Sequence, residues 1–129
     1  MTTTFDLSDL NQFSGGTDKF YAHSLCRNVS YTAGVRYLAK EAKCYWLIDE
    51  IALSQSSVKA VKLEPFQVWT LKVAPDHSAV LSCEDGNHNQ VFSKAIDFTD
   101  FPAEEITLWV CDNSGCSDLG FSIILPCEY

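Results

Sequence analysis

Phe66-Gln67-Val68-Trp69-Thr70-Leu71-Lys72-Val73, followed closely by Pro75-Asp76-His77-Ser78, is the stretch on which the fold turns. Trp69, Leu71 and Val73 alternate, imperfectly, against Gln67, Thr70 and Lys72, the period-2 pattern of a half-buried strand. Pro-Asp-His-Ser is turn chemistry. Downstream the pattern repeats. Residues 79–83 read as a second strand, and Glu84-Asp85-Gly86-Asn87 carries the Asp-Gly signal of a hairpin. Residues 91–98 read as a third strand. Phe101-Pro102-Ala103-Glu104-Glu105 is a connection, and 106–111 a fourth strand with Ile106, Leu108 and Val110 on one face. Asn113-Ser114-Gly115 turns the chain into a fifth strand at 119–125. Short connections between successive strands predict an antiparallel meander of about five strands.

Upstream of Pro65 the periodicity is mostly helical. Residues 6–13 read as a short helix: Leu7, Leu10 and Phe13 recur at three-residue spacing, Asp6 or Ser8 can cap, and Ser14-Gly15-Gly16-Thr17 ends it. Residues 19–25 read as extended, an edge strand or an ordered arm. A helix starts near Thr32 as N-cap, with Val35, Leu38, Ala39 and Ala42 as its apolar stripe. Residues 45–53 read as a second, heavily buried helix with Trp46, Leu47, Ile51 and Leu53 toward the core, and 54–64 as a polar loop with some helical character. A sheet with one apolar face needs a cover, and the two helices supply it. The expectation is an α+β fold in a single domain, 1–129.

Bulk properties narrow the function. Of 129 residues, 47% are apolar and 12% aromatic, enough for a core without staples. The net charge of −8, from 17 acidic and 9 basic side chains, disfavours direct contact with phosphate backbones and suits a basic partner surface. No run of 18 apolar residues exists, so no membrane span is expected. Met1-Thr2-Thr3-Thr4-Phe5-Asp6 lacks a basic segment followed by an apolar one, which predicts no secretory signal and a cytoplasmic location. There Cys26, Cys44, Cys83, Cys111, Cys116 and Cys127 are expected to stay reduced. Cys44 and Cys111 sit in apolar runs and read as small buried hydrophobes.

Chemistry-bearing patterns are weak. His23-x-x-Cys26, Cys83-x4-His88 and Cys111-x4-Cys116 each offer two zinc ligands, but none has the repeated tight spacing of a zinc site, and neither metal nor cofactor is expected. Cys83 and His88 flank the Asp-Gly turn and form the best local nucleophile–base pair, without a supporting motif. Asp97, Asp100, Glu104 and Glu105 cluster before the fourth strand and read as a solvated or partner-facing acidic edge. Asp49 or Glu50 would need a partner if buried. Arg27, Arg36, Lys40 and Lys43 form the only basic stretch, read as the wet face of the first long helix. Trp109 alternates with Leu108 and Val110 and so points to the other sheet face, either into a second small core or as an exposed anchor.

Several segments carry a resemblance: Asp6-Leu7, Gln12-Phe13, Gly16-Thr17, Tyr31-Thr32, Gly34-Val35, Tyr45-Trp46-Leu47-Ile48-Asp49, Phe66-Gln67-Val68-Trp69, Asp85-Gly86-Asn87, Thr99-Asp100-Phe101-Pro102 and the ending Leu125-Pro126-Cys127-Glu128-Tyr129. By these the chain resembles an uncharacterised family of small bacterial proteins carried on plasmids and prophages, in which serine is usual where this chain has Cys127. The resemblance implies a mobile-element setting and assigns no activity. The reading is then a non-enzymatic, acidic protein-binding module. It is an accessory that blocks a host defence complex in the manner of an anti-CRISPR protein, by occupying a basic nucleic-acid-binding groove. Asp85, Asp97, Asp100, Glu104, Glu105 and Trp109 are its expected contact residues. The alternative is a small cytosolic enzyme with a hydrolytic or metal-assisted site near Cys83 and His88, and a third reading is self-association through an edge strand or Trp109.

Overall fold

The computed structural model describes residues 20–23, 29–62, 64–99, 101, 104–112 and 121–126. In chain order these form β1 (Phe20–Ala22), β2 (Val29–Thr32), α1 (Ala33–Glu41), α2 (Tyr45–Ser57), α3 (Lys59–Lys62), β3 (Phe66–Val73), β4 (Ala79–Glu84), β5 (Gln90–Ile96), β6 (Glu105–Asp112) and β7 (Phe121–Ile124). The α+β class holds, but the sheet is neither five-stranded nor purely antiparallel. It has seven strands in the order β1-β2-β7-β6-β3-β4-β5, and β2 pairs with β7 in parallel.

Burial explains the strand order. A meander would place β6 outside β5. Instead β5, which has no fully buried residue, takes the edge. The apolar strands β3 and β6 pair centrally, Trp69 opposite Leu108 and Leu71 opposite Ile106. This arrangement buries both apolar rows between neighbours. The helix expected over 6–13 lies outside the described residues.

Thr32 caps α1 as expected, its Oγ1 accepting from Val35 N at 3.2 Å, and Val35, Leu38, Ala39 and Ala42 are all buried. Lys43, with φ 55°, turns the chain in the left-handed region that ends many helices, and Cys44 N donates to Ala39 O at 2.9 Å. Helix α2 runs past the expected boundary, so 54–57 is helix rather than loop, and α3 follows directly. The polar residues there satisfy themselves locally. Ser54 Oγ donates to Glu50 O (2.8 Å), Ser57 Oγ to Leu53 O (2.8 Å) and Gln55 Nε2 to Ile51 O (3.1 Å). Leu53, expected in the core, is 45% exposed. At about 100° per residue it lies opposite the stripe of Ile48, Ile51, Ala52 and Gln55.

The same arithmetic shows how the sheet sits. Asp49 and Glu50 are about 100° apart around α2 and point to its two flanks. Asp49 meets His23, just past β1, at 2.8 Å. Glu50 pairs with Lys94 of β5. These strands are the two edges of the sheet, which would lie about 29 Å apart if it were flat. Two consecutive helical residues do not span that distance, so the sheet curls around α2. No helix among the described residues is long and apolar enough to cross a membrane.

Inside the curl, Trp69, Leu71, Leu81, Leu108, Val110 and Ile123 pack against Leu38, Leu47, Ile48 and Ile51. Gln67 was expected on the face opposite Trp69, yet it is fully buried on the same one. Its amide forms a reciprocal pair with that of Gln55, 2.8 Å in each direction. Gln67 Nε2 also donates to Val61 O (3.0 Å) and Glu64 O (3.1 Å), and its Oε1 accepts from Trp69 Nε1 (2.9 Å). Removing either amide strands several buried polar atoms. Gln67→Ala is expected to lower stability by about 2–4 kcal/mol. The Gln55→Ala, Gln67→Ala double variant should lose less than the sum of the two single losses, because they share one interaction. Urea unfolding of the three variants checks both statements.

Candidate functional site

Strand directions place the loops. The ends of β3 and β5 and the starts of β4 and β6 lie at one end of the sheet; the β4–β5 turn lies at the other. Of the residues expected to meet a partner, Asp97, Glu104 and Glu105 all lie at the first end and are exposed. Asp76, in the β3–β4 turn, joins them there and is also exposed. Glu105 makes only a long contact with Lys72, 4.0 Å. Asp100 lies outside the described residues.

Asp85 is at the opposite end and is occupied by its own turn. Its carboxylate accepts from Asn87 N (2.7 Å), Asn89 N (3.0 Å) and Asn89 Nδ2 (3.1 Å), and the Asn89 and Asn87 backbone bonds hold its pKa below the usual carboxylate value. It shapes the hairpin and is separate from the acidic end. Trp109 lies on the sheet face away from the helices, half-buried, with the Phe66 ring edge-on at 5.3 Å. It too is separate from Asp97 and Glu104.

A residue the sequence reading passed over stands at the acidic end. Phe98, read as the last residue of a strand, lies beyond β5 and is 67% exposed. With Trp46, Ile96 and Thr99 it lines an open groove of about 270 Å³. The backbone around it is tied down. Thr99 N donates to His77 O (2.8 Å), Val73 N to Glu104 O (2.7 Å) and Phe101 N to Thr99 Oγ1 (3.2 Å). The His77 ring packs against Phe98 at 5.6 Å. Asp76 accepts from Ser78 Oγ (2.6 Å) and Ser78 N (3.0 Å), bonds that lower its pKa. The signal available in the sequence was a bulky aromatic within Ile96-Asp97-Phe98-Thr99-Asp100, a segment too polar to bury it.

A second polar cluster sits by β1. His23, buried, pairs with half-exposed Asp49. Tyr21 stacks on Tyr31 at 6.0 Å, and the Arg36 guanidinium lies 4.7 Å above the Tyr21 ring. Burial, with Tyr45 nearby, raises the Tyr31 pKa. Asp49 is thus paired although half-exposed, and Arg36 lies on the exposed face of α1, as expected, while stacking on Tyr21.

The proposed nucleophile–base pair is not assembled. Cys83 points into the core, fully buried, and burial pushes its thiol pKa up to about 12. His88 stands in the turn, 93% exposed, with Nδ1 3.9 Å from Glu84 Oε1. Cys26 and Cys116 of the other two pairs lie outside the described residues. Among the described residues no group of three or more His, Cys, Asp or Glu is placed to hold a metal ion.

Two thiols give a pH prediction. Burial also raises Cys44 to about 12, from an ordinary value of 9.0. Both thiols therefore stay protonated in the fold while the unfolded chain ionises. Their stabilising contribution is full below pH 9 and is lost as pH rises toward 12. Iodoacetamide at pH 8 should leave Cys44 and Cys83 unmodified in the native chain and alkylate both in urea, as read by peptide mass spectrometry.

Neither a curated protein nor a solved structure matches the chain at a significant level. A family model does match, over residues 4–129, which is nearly the whole chain. The chain therefore belongs to the family of unknown function DUF6876.

Proposed function

We propose that the chain is a non-enzymatic binding module that engages a basic protein surface through the acidic end of its sheet. One observation carries this reading: an exposed aromatic, Phe98, stands at the same end of the sheet as the exposed Asp97, Glu104 and Glu105, on a backbone fixed by hydrogen bonds. Exposed aromatics with a charged rim are the usual make-up of a docking surface, and the net charge of −8 steers the chain toward basic partners. The plasmid and prophage setting implied by the sequence resemblance adds a role. The chain would act as an inhibitor of a host defence complex, occupying a basic groove that otherwise holds nucleic acid.

The enzyme reading receives no support from Cys83 and His88, because one is buried in the core and protonated and the other is exposed in the turn. The test is capture by the tagged full-length chain from a host lysate at about 0.15 M salt, with mass spectrometry of what co-elutes. A stoichiometric basic partner is expected. The variant Asp97→Asn, Glu104→Gln, Glu105→Gln, folded by circular dichroism, should retain it about tenfold less well, and about 0.5 M salt should release it from the native chain. No stoichiometric partner, or one held equally by the variant and at high salt, would contradict the proposal.

A further inference from the structure

The groove beside Phe98 makes the partner's chemistry more specific. Its walls are Trp46, Ile96, Phe98 and Thr99. Thr99 is buried, its N–H donates to His77 O and its Oγ1 accepts from Phe101 N. Thr99, the one polar wall residue among the described residues, thus has hydrogen bonds within the fold, and the described walls present mainly apolar surface. At about 270 Å³ it is smaller than the roughly 300–1,000 Å³ of small-molecule pockets. It is open, and it has room for one large side chain. The exposed carboxylates of Asp76, Asp97 and Glu104 lie at the same end of the sheet.

We infer that this groove seats one large apolar side chain, aromatic or leucine-like, projecting from a basic segment of the protein partner. The inference rests on the binding-module reading and assigns its anchor. Charge decides among occupants. A second copy would bring a chain of net charge −8 against itself and set Asp97 and Glu104 against like charges, which disfavours it. A basic segment gains at the rim and buries its apolar residue between Phe98 and Trp46. Phe98 is already held in place by the Thr99–His77 bond, so little ordering cost attends docking.

The experiment uses the ¹⁵N-labelled full chain and two synthetic twelve-residue peptides. Both are rich in Lys and Arg, and they differ at one central residue, Phe or Ala. The Phe peptide should bind about tenfold more tightly, with shifts at the Trp46 indole and at the Ile96 and Thr99 amides. Phe98→Ala, at a 67% exposed position and so compatible with folding, should abolish the preference while leaving the weaker charge-driven binding. Equal affinity for both peptides, with shifts confined to Asp76, Asp97, Glu104 and Glu105, would overturn the anchor and leave the electrostatic docking intact. Binding of neither peptide would count against both. Sedimentation of the free chain adds one more outcome: a dimer that Phe98→Ala dissociates would make a second copy the occupant and overturn the inference.

Discussion

The side-chain amides of Gln55 and Gln67 face each other in the middle of the core, each donating to and accepting from the other. Most of the structure depends on this pair. It joins α2 to β3, and through Val61 O and Glu64 O it also fixes α3 and the chain leading into the sheet. An apolar contact there would be equally compact but would tolerate sliding. A buried amide pair does not, because any shift of α2 along β3 leaves donors and acceptors unmet at roughly 1–3 kcal/mol each. The pair therefore sets register as well as contributing stability.

Once α2 is registered, its other contacts follow from helix geometry. Glu50 and Asp49 lie about 8 Å back along the axis from Gln55 and reach the two edges of the curled sheet. One further turn back, Trp46 lines the groove with Ile96 and Phe98. The helix thus transmits a constraint in the core to the surface at the acidic end. There the turn of Asp76 and His77 and the segment after β5 are locked by their own backbone bonds. Phe98 is exposed because the chain on both sides of it is committed to other contacts.

Elements governed by local chemistry were legible in the sequence. Thr32 as cap, the Val35, Leu38 and Ala39 stripe, the β3–β6 strands and both hairpin turns follow from periodicity and turn residues, and the structure shows them. Elements governed by distant partners were not. Val29–Thr32 is only four residues long, and it becomes a strand because it pairs with residues about ninety positions away in β7. Gln55 and Gln67 look like loop and solvent residues singly, and only their pairing permits burial. The candidate site divides in the same way. The carboxylates Asp97, Glu104 and Glu105 were visible as a cluster. Asp85 and Trp109 were grouped with them by charge or exposure alone, and the sheet separates them. Phe98 was hidden inside a strand assignment that ends two residues earlier.

Residue-resolved hydrogen–deuterium exchange of the free chain tests most directly whether the acidic end is a preformed platform. The amides of Thr99 and Val73, bonded to His77 O and Glu104 O, should exchange on the order of a thousandfold more slowly than in an unstructured peptide, approaching the protection of central strands β3 and β6. Exchange of Thr99 at the unstructured rate would mean that Phe98 rides on a mobile loop, and would contradict the account.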